Sequence, residues 1–183
     1  MIVDLQQLSG GEILAGAPAG KAILRHLLEI TSVEPREPTT LFLDFRSVKV
    51  ATASFLRESA LEFRNIVRAR RSTYYPVVAN PNEDVLDELR EMLIPRREVM
   101  LVCFVKENEA VTRSMIVGEL DPKQQLAFDL VRESRETDAG ELMRKHGGVT
   151  RTTAWNNRLS SLSGLGLVFE VPVGRAKRYR AIF

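Results

Sequence analysis

Residues 150–168 read TRTTAWNNRLSSLSGLGLV, and the periodicity of this stretch decides how the C-terminal part of the chain folds. A helix capped by Thr150 is predicted to run to about Ser163. At about 100° per residue, Ala154, Leu159 and Leu162 cluster on one side and are expected to face a core. The opposite side carries small hydroxyl and amide side chains, namely Thr152, Thr153, Asn156, Asn157, Ser160 and Ser163. The stretch therefore predicts an amphipathic helix with a neutral polar face.

Two further helices are predicted before this one, and a β-ribbon after it. Asp121-Pro122 is a capping pair, since the proline nitrogen needs no partner in the first turn. The apolar side chains expected to point inward from that helix are Leu126, Ala127, Leu130 and Val131. Asp138 and Glu141 resemble a capping box that opens a second, short helix. Strands over 167–171 and 177–182 flank a hairpin with a basic tip. Three helices followed by a β-ribbon is the order of a winged helix.

The same stretch resembles the recognition helix and following strand of bacterial winged helix-turn-helix regulators. Those sequences have a small polar cap, a buried aliphatic residue, an Arg-Leu pair, a further Leu and a closing Gly-Leu-Val. The matching residues are Thr150, Ala154, Arg158, Leu159, Leu162, Gly166, Leu167 and Val168. The resemblance implies a domain that binds double-stranded DNA.

The chemistry of the exposed side chains is consistent with that function. Asparagine can bond bidentately to adenine, and serine or threonine can contact phosphate or a thymine methyl group. Arg151 stands at the start of the helix, where major-groove readers place their contacts. Basic residues around Gly174 in the hairpin are expected to face a phosphate backbone or a minor groove. The predicted DNA-binding residues are Arg151, Thr152, Thr153, Asn156, Asn157, Ser160, Arg175, Lys177 and Arg178.

Trp155 admits two interpretations. Its angle on the helix lies near the edge of the core, so packing is favoured over stacking on DNA. Arg158 lies toward the core side and is expected to hold helices together. In the β-ribbon, alternation sends Lys177 and Tyr179 to one face and Arg178 and Arg180 to the other.

Charge is unevenly distributed along the chain. The net charge is +2, yet residues 141–183 contain eight basic and two acidic residues, a net charge of +6, and the preceding residues sum to −4. A basic segment attached to a mildly acidic body is typical of a protein that binds a polyanion. A solvated surface remains the alternative, because charge alone does not decide between them.

The N-terminal part alternates strand-like and helix-like segments, which predicts a layered α/β domain. Predicted strands lie at 2–5, 12–14, 40–45, 75–79, 99–105 and 114–117, the last antiparallel to the one before it. One predicted helix lies at 20–30, a second includes the apolar positions from Phe55 to Val67, and a third runs from a cap at Asn82 through Leu93. The predicted fold class is therefore an α/β domain with a layered mixed sheet and helices over residues 1–118, plus a small α+β winged-helix domain over residues 119–183.

Residues 41–63, LFLDFRSVKVATASFLRESALEF, resemble the central signature of STAS domains, the fold of bacterial anti-sigma-factor antagonists, and more closely a less characterised STAS-like family. The matching residues are Asp44, Phe45, Val48, Ser54, Phe55 and Glu58. The resemblance covers roughly residues 10–118. It implies a domain that binds a partner, senses a ligand or dimerises.

In classical antagonists a serine at this loop-to-helix junction is phosphorylated by a partner kinase, and Ser54 stands at the corresponding position. The resemblance thus implies Ser54 as a phosphoacceptor and a histidine-kinase-like ATPase as a partner. Two departures are Thr52, where an acidic residue is usual, and Phe55, where a small one is usual. The favoured interpretation is that Ser54 caps its helix.

Other classes of function have little support in the sequence. No cluster of His, Cys or carboxylates has metal-ligand spacing, and no glycine-rich phosphate loop is present, so neither a metal, a cofactor nor an enzymatic activity is predicted. Cys103 is expected to be a small buried residue in a strand, and a single cysteine fits a reducing cytoplasm. No apolar run is long enough for a membrane helix, so no membrane association is predicted.

The sequence predicts a cytoplasmic transcriptional regulator that reads duplex DNA with its winged helix and receives a signal or partner through its STAS-like domain. A homodimer is expected, because paired half-sites raise affinity for DNA. The alternative is a signalling adaptor whose winged helix binds protein and whose STAS-like domain is switched by a kinase-type ATPase.

Overall fold

The computed structural model describes residues 1–106, 110–146, 151–174 and 176–183. It divides into two compact units, Met1–Glu119 (unit 1) and Leu120–Phe183 (unit 2). Unit 1 is a mixed α/β structure around a five-stranded sheet, and unit 2 is a small three-stranded antiparallel sheet with helices.

The sheet of unit 1 has the strand order β1-β3-β5-β6-β7. Its strands are β1 (Ile2–Asp4), β3 (Thr39–Asp44), β5 (Tyr74–Ala79), β6 (Val99–Val105) and β7 (Val111–Gly118), and a separate two-residue parallel pair is formed by β2 (Ile13–Leu14) and β4 (Val50–Ala51). The first four strands of the sheet are parallel, and β7 returns antiparallel to β6. All six residues of β5 are buried, as expected for a central parallel strand covered on both faces.

The helices of unit 1 connect these strands. They are α1 (Leu5–Ser9), α2 (Ala17–Ile30), α3 (Ala53–Leu56), α4 (Glu62–Ala69) and α5 (Glu83–Leu93), with a π-helical turn at Arg57–Leu61 between α3 and α4 and a 3₁₀ turn at Ile94–Arg96. The apolar faces of these helices and the sheet form one core, which includes Leu27, Leu43, Phe55, Phe63, Val78 and Leu89.

Several local predictions for unit 1 are confirmed. Asn82 caps α5, its side-chain oxygen accepting the backbone N–H of Val85 at 2.9 Å. β7 pairs antiparallel with β6. Cys103 is fully buried in β6, and burial raises the pKa of its thiol to about 12, with a smaller effect of Asp44.

Two predictions at helix starts are wrong. Ser54 does not cap its helix: Thr52 occupies the N-cap position, and its hydroxyl accepts the N–H of Phe55 at 3.4 Å. The residues after Asp4 form α1 rather than continuing a strand, because the Asp4 carboxylate accepts the N–H of Gln7 and Gly10, at φ 75°, ends the turn.

Unit 2 consists of three helices and a three-stranded sheet. In chain order these are α6 (Pro122–Ser134), β8 (Glu136–Thr137), α7 (Ala139–His146), α8 (Thr152–Gly164), β9 (Val168–Val173) and β10 (Ala176–Ala181). The sheet order is β8-β10-β9, with both pairs antiparallel. We call the β9–β10 hairpin the ribbon. The sequence did not predict β8, which has only two residues.

The core of unit 2 differs in one position from the prediction for α6. Asp121 and Gln124 form the capping box of this helix, and Pro122 lies in its first turn. Leu126, expected to point inward, is 49% exposed, whereas Phe128 is buried. Phe128, Val131 and Leu130 thus supply the inner face. Within the described residues, no helix is both long and apolar enough to cross a membrane.

We expect Gly20→Ala to destabilise unit 1 by about 1–2 kcal/mol. Overpacking costs about 1–3 kcal/mol of stability, and the higher helix propensity of alanine offsets up to about 1 kcal/mol of that loss. A Cβ atom at Gly20 would lie 2.7 Å from the carbonyl oxygen of Phe55 and 3.0 Å from Cβ of Glu58. Urea unfolding measures the effect. Gly11→Ala is the matched control, because a Cβ atom there meets nothing within 4 Å; equal stability of both variants would contradict a tight contact between α2 and α3.

Candidate nucleic-acid interface

The two faces of α8 differ sharply in burial. Trp155, Leu159 and Leu162 are each 1% exposed or less and stand at i, i+4 and i+7, so they form its core stripe. Ala154, which we expected in the core, is half-buried, and Trp155 takes the core position. Ser163 also differs from its prediction: it is 3% exposed, because it stands four residues after Leu159 and shares that face.

The outward side of α8 carries an uncharged row of side chains that we call the polar ridge, formed by Thr152, Asn156, Asn157 and Ser160. Asn156, Asn157 and Ser160 are exposed, and Thr152 is half-buried. Thr153, also predicted as a contact, is exposed beside them. The predicted polar face therefore points away from the core of unit 2 at these positions.

The polar ridge forms one wall of a cleft of about 580 Å³, which we call the ridge cleft. Its other lining residues come from the start of α7 and from β10, and they are Asp138, Ala139, Gly140, Ala176, Lys177 and Tyr179. Lys177 and Tyr179 line the same cleft, as strand alternation predicted. The fold thus brings the neutral helix face and one basic residue of the ribbon to a single concave surface.

Arg151 precedes the first residue of α8. Arg151 stands at the N-cap position and is exposed, and its side chain makes no capping hydrogen bond. The helix therefore begins one residue later than we predicted, and the predicted cap, Thr150, lies outside the described residues. The first turn contains no acidic residue, so the partial positive charge of the helix N-terminus is not offset there.

Two basic residues of the ribbon, Lys177 and Arg178, are paired with carboxylates. The Nζ atom of Lys177 lies 2.7 Å from Oε1 of Glu170 on β9. Arg178 contacts three carboxylates: Nε donates to Glu136, Nη2 lies 3.5 Å from Glu141, and Nη1 lies 3.8 Å from Asp138. The hydrogen bond with Glu136 holds the pKa of Arg178 above its ordinary value. Arg175, the third predicted contact of the hairpin, lies outside the described residues.

Asp138 has two roles at the edge of the ridge cleft: it caps α7, and it is one of the carboxylates near Arg178. Its carboxylate caps α7 by accepting the N–H of Glu141 at 2.9 Å, as predicted. The Glu141 carboxylate accepts the hydroxyl of Thr137 at 3.1 Å and lies near Arg178. The acidic cluster of Glu136, Asp138 and Glu141 was missed in the sequence analysis. The sequence indicates this cluster by the closeness of three acidic residues to the start of one predicted helix.

Trp155 is a core residue of unit 2 and packs rather than presenting its ring to a ligand. The guanidinium of Arg158 lies 4.7 Å from the centroid of its indole ring, in the geometry of a cation–π contact. Within the described residues, the indole N–H of Trp155 has no hydrogen-bond partner. Arg158 is half-buried, as expected of a residue on the core side.

Ser54 lies in unit 1 at the start of α3 and is half-buried. Its hydroxyl is 3.1 Å from the hydroxyl of Thr52. The neighbouring N–H of Ala53 donates to the carboxylate of Glu88 at 2.6 Å. One of the helix N-terminal donors that a phosphate could use is therefore already bonded to a carboxylate.

A second cleft, of about 330 Å³, lies close to this position in unit 1. Its lining is mainly acidic, with Val50, Ala51, Asp84, Asp87, Glu88 and Glu91.

Among the described residues, no group of three or more His, Cys, Asp or Glu side chains could hold a metal ion. No protein-family model matches the chain, and no curated protein is significantly similar to it.

Proposed function

We propose that the protein is a DNA-binding transcriptional regulator in which unit 2 is a winged helix that reads duplex DNA. Unit 1 is then a STAS-like domain that receives a partner or a signal. The observation that carries the proposal is the polar ridge of α8, exposed and free of charge, facing a cleft that Lys177 also lines. The order of helices and strands in unit 2 supports the winged-helix assignment.

The dimensions of α8 suit a major groove. A helix with its side chains is about 10–12 Å wide and the major groove is about 12 Å wide. Moving the hydroxyl and amide side chains of the inserted face out of water costs little free energy if base edges replace water as their hydrogen-bond partners. Arg151 and the N-terminal end of α8 would contact the phosphate backbone beside the groove.

Arg178 has a different role in the proposal from the one the sequence predicted. Its three carboxylate contacts tie β10 to β8 and to the start of α7. We therefore assign it to positioning the ribbon against α7, and leave phosphate contact to Arg151, Lys177 and Arg175. Lys177 can exchange Glu170 for a phosphate, because both groups lie at a partly exposed surface where ion pairs contribute little.

A homodimer completes the proposal. A single winged helix buries limited DNA surface, so two copies bound to adjacent half-sites gain affinity without any further contact within each copy. Unit 1 is the part of the chain to which we assign this pairing, or the binding of a partner.

The alternative function is a signalling adaptor whose unit 2 binds protein, with Ser54 of unit 1 phosphorylated by a histidine-kinase-like ATPase. Three observations favour it. Asp138 stands in the wall of the ridge cleft, where it would repel phosphate, and both described basic residues of β10 within the predicted site are paired with acids. In unit 1, the N–H of Ala53 donates to Glu88, which lines the second cleft. A phosphate on the neighbouring Ser54 could therefore change the surface of that cleft.

A titration of random-sequence duplex at increasing salt separates the two functions. We expect binding near 50 mM salt. The logarithm of the association constant should fall linearly with the logarithm of the salt concentration, with a slope of about −0.9 for each phosphate contacted. Lys177→Gln should reduce the magnitude of the slope by about one unit, whereas Lys21→Gln, an exposed lysine of unit 1, should leave it unchanged. Absence of binding near 50 mM salt would contradict the proposal and favour the adaptor.

A further inference from the structure

We propose that the ridge cleft selects A·T base pairs, with Asn156 and Asn157 as the residues that determine specificity by bonding to adenine. This inference rests on the proposed DNA-binding function and goes beyond it. It starts from the chemistry of the lining. An asparagine side chain presents one acceptor and one donor side by side, which matches the N6 donor and N7 acceptor of adenine in the major groove.

Among the described residues, neither asparagine side chain is used for a contact within the protein. Both are exposed, and no hydrogen bond joins either side chain to a described residue. Ser161 of the same helix gives the contrast, because its hydroxyl accepts the side-chain amide of Gln124 on α6 at 2.8 Å. Among the polar side chains of α8, Ser161 therefore joins two helices, whereas Asn156 and Asn157 remain available to an external ligand.

The described lining of the ridge cleft contains no arginine, the side chain that most often reads guanine. Arg158 lies over the ring of Trp155, and Arg151 stands at the helix start, outside the described lining of the ridge cleft. Lys177 does line the cleft, but its ammonium group is bound to Glu170. The other charged group of the lining, Asp138, caps α7 and lies 3.8 Å from Arg178. With Lys177 assigned to a phosphate, the groups left in the described cleft to bond a base edge are the amides and hydroxyls of the polar ridge.

The spacing of the polar ridge matches the spacing of stacked bases. Thr152, Asn156 and Ser160 stand at i, i+4 and i+8 and so lie in one row along the helix. At about 1.5 Å per residue this row is about 12 Å long, which spans three to four base steps of about 3.4 Å. Asn157 lies beside the row. The methyl group of Thr152 can contact the methyl group of a thymine, so both bases of an A·T pair have a partner of suitable chemistry.

Selection from a randomised duplex library, followed by single-atom substitution in the DNA, tests this inference on the full-length protein. We expect the selected sites to be enriched in A·T pairs. On a selected site, 7-deazaadenine removes the N7 acceptor and keeps the Watson–Crick pair. It should weaken binding by roughly tenfold at each position that is read. An Asn156→Ala/Asn157→Ala variant should show neither the enrichment nor the sensitivity to 7-deazaadenine.

Two controls keep the test specific. Gln125→Ala removes an exposed amide of α6 that bonds only within its own helix region, to Asp129, and should leave selection unchanged. Asn156→Ser/Asn157→Ser retains small polar side chains and should lose selection like the alanine variant, with an unchanged circular dichroism spectrum. Selected sites centred on G·C pairs, or A·T enrichment that survives in both double variants, would overturn the inference and leave DNA binding intact. Failure to bind any duplex would overturn the proposed function with it.

Discussion

Trp155→Ala is expected to lower the free energy of unfolding of unit 2 by about 3–5 kcal/mol, the usual effect of removing a fully buried tryptophan. Trp155 is 1% exposed and is the largest fully buried side chain in the described chain. Unit 2 has only about 64 residues, and a unit of that size has roughly 3–10 kcal/mol of stability in total. The substitution should therefore leave a large fraction of unit 2 unfolded at 37 °C.

Urea unfolding followed by far-UV circular dichroism measures this effect. Leu126→Ala is the matched control in the same unit, because Leu126 is 49% exposed and its truncation should cost less than about 1 kcal/mol. If the two variants unfolded at the same urea concentration, Trp155 would not be the centre of the core of unit 2, and the orientation of α8 derived from its burial would be wrong.

Asn156→Asp/Asn157→Asp is expected to weaken binding to duplex DNA by about 100-fold or more, with little change in stability. The substitution keeps the shape of both side chains and their exposed positions. It removes the donors that asparagine offers to a base, which costs about 1–3 kcal/mol for a bidentate contact. It also places two negative charges against a polyanion.

Fluorescence anisotropy with a labelled duplex at constant salt measures the change in affinity. Gln125→Glu adds a negative charge of the same kind on α6, outside the described lining of the ridge cleft. We expect less than a threefold effect from that control. Equal losses in both variants would mean that net charge, rather than contact through the polar ridge, controls binding.

Features determined by local chemistry could be predicted from the sequence. The cap at Asn82, the antiparallel return of β7 on β6 and the buried position of Cys103 follow from short patterns, and the structure confirms them. The polar positions 152, 153, 156, 157 and 160 follow from helical periodicity. In each case one element, or two adjacent in sequence, carries the whole signal.

Features that depend on pairing between distant parts of the chain could not be predicted from the sequence. The contact of Arg178 with Glu136 joins residues 42 positions apart and exists because β10 pairs with β8, a strand too short to show periodicity. The assignment of Ser54 as a cap failed for a different reason: Thr52 and Ser54 are both good caps, and the choice depends on where the helix begins. Leu126 fits an inward position by spacing, yet it is 49% exposed and Phe128 is buried.

The side-chain amide signals of Asn156 and Asn157 in NMR spectra of the ¹⁵N-labelled full-length protein test the central claim most directly. On titration with a selected duplex, we predict that both NH₂ signals shift, together with the backbone signals of the first turn of α8. The NH₂ signal of Asn82 should not move, because its Nδ2 already donates to the carbonyls of Val48 and Lys49 within unit 1. Unchanged Asn156 and Asn157 signals at saturating duplex, with shifts elsewhere, would contradict the account.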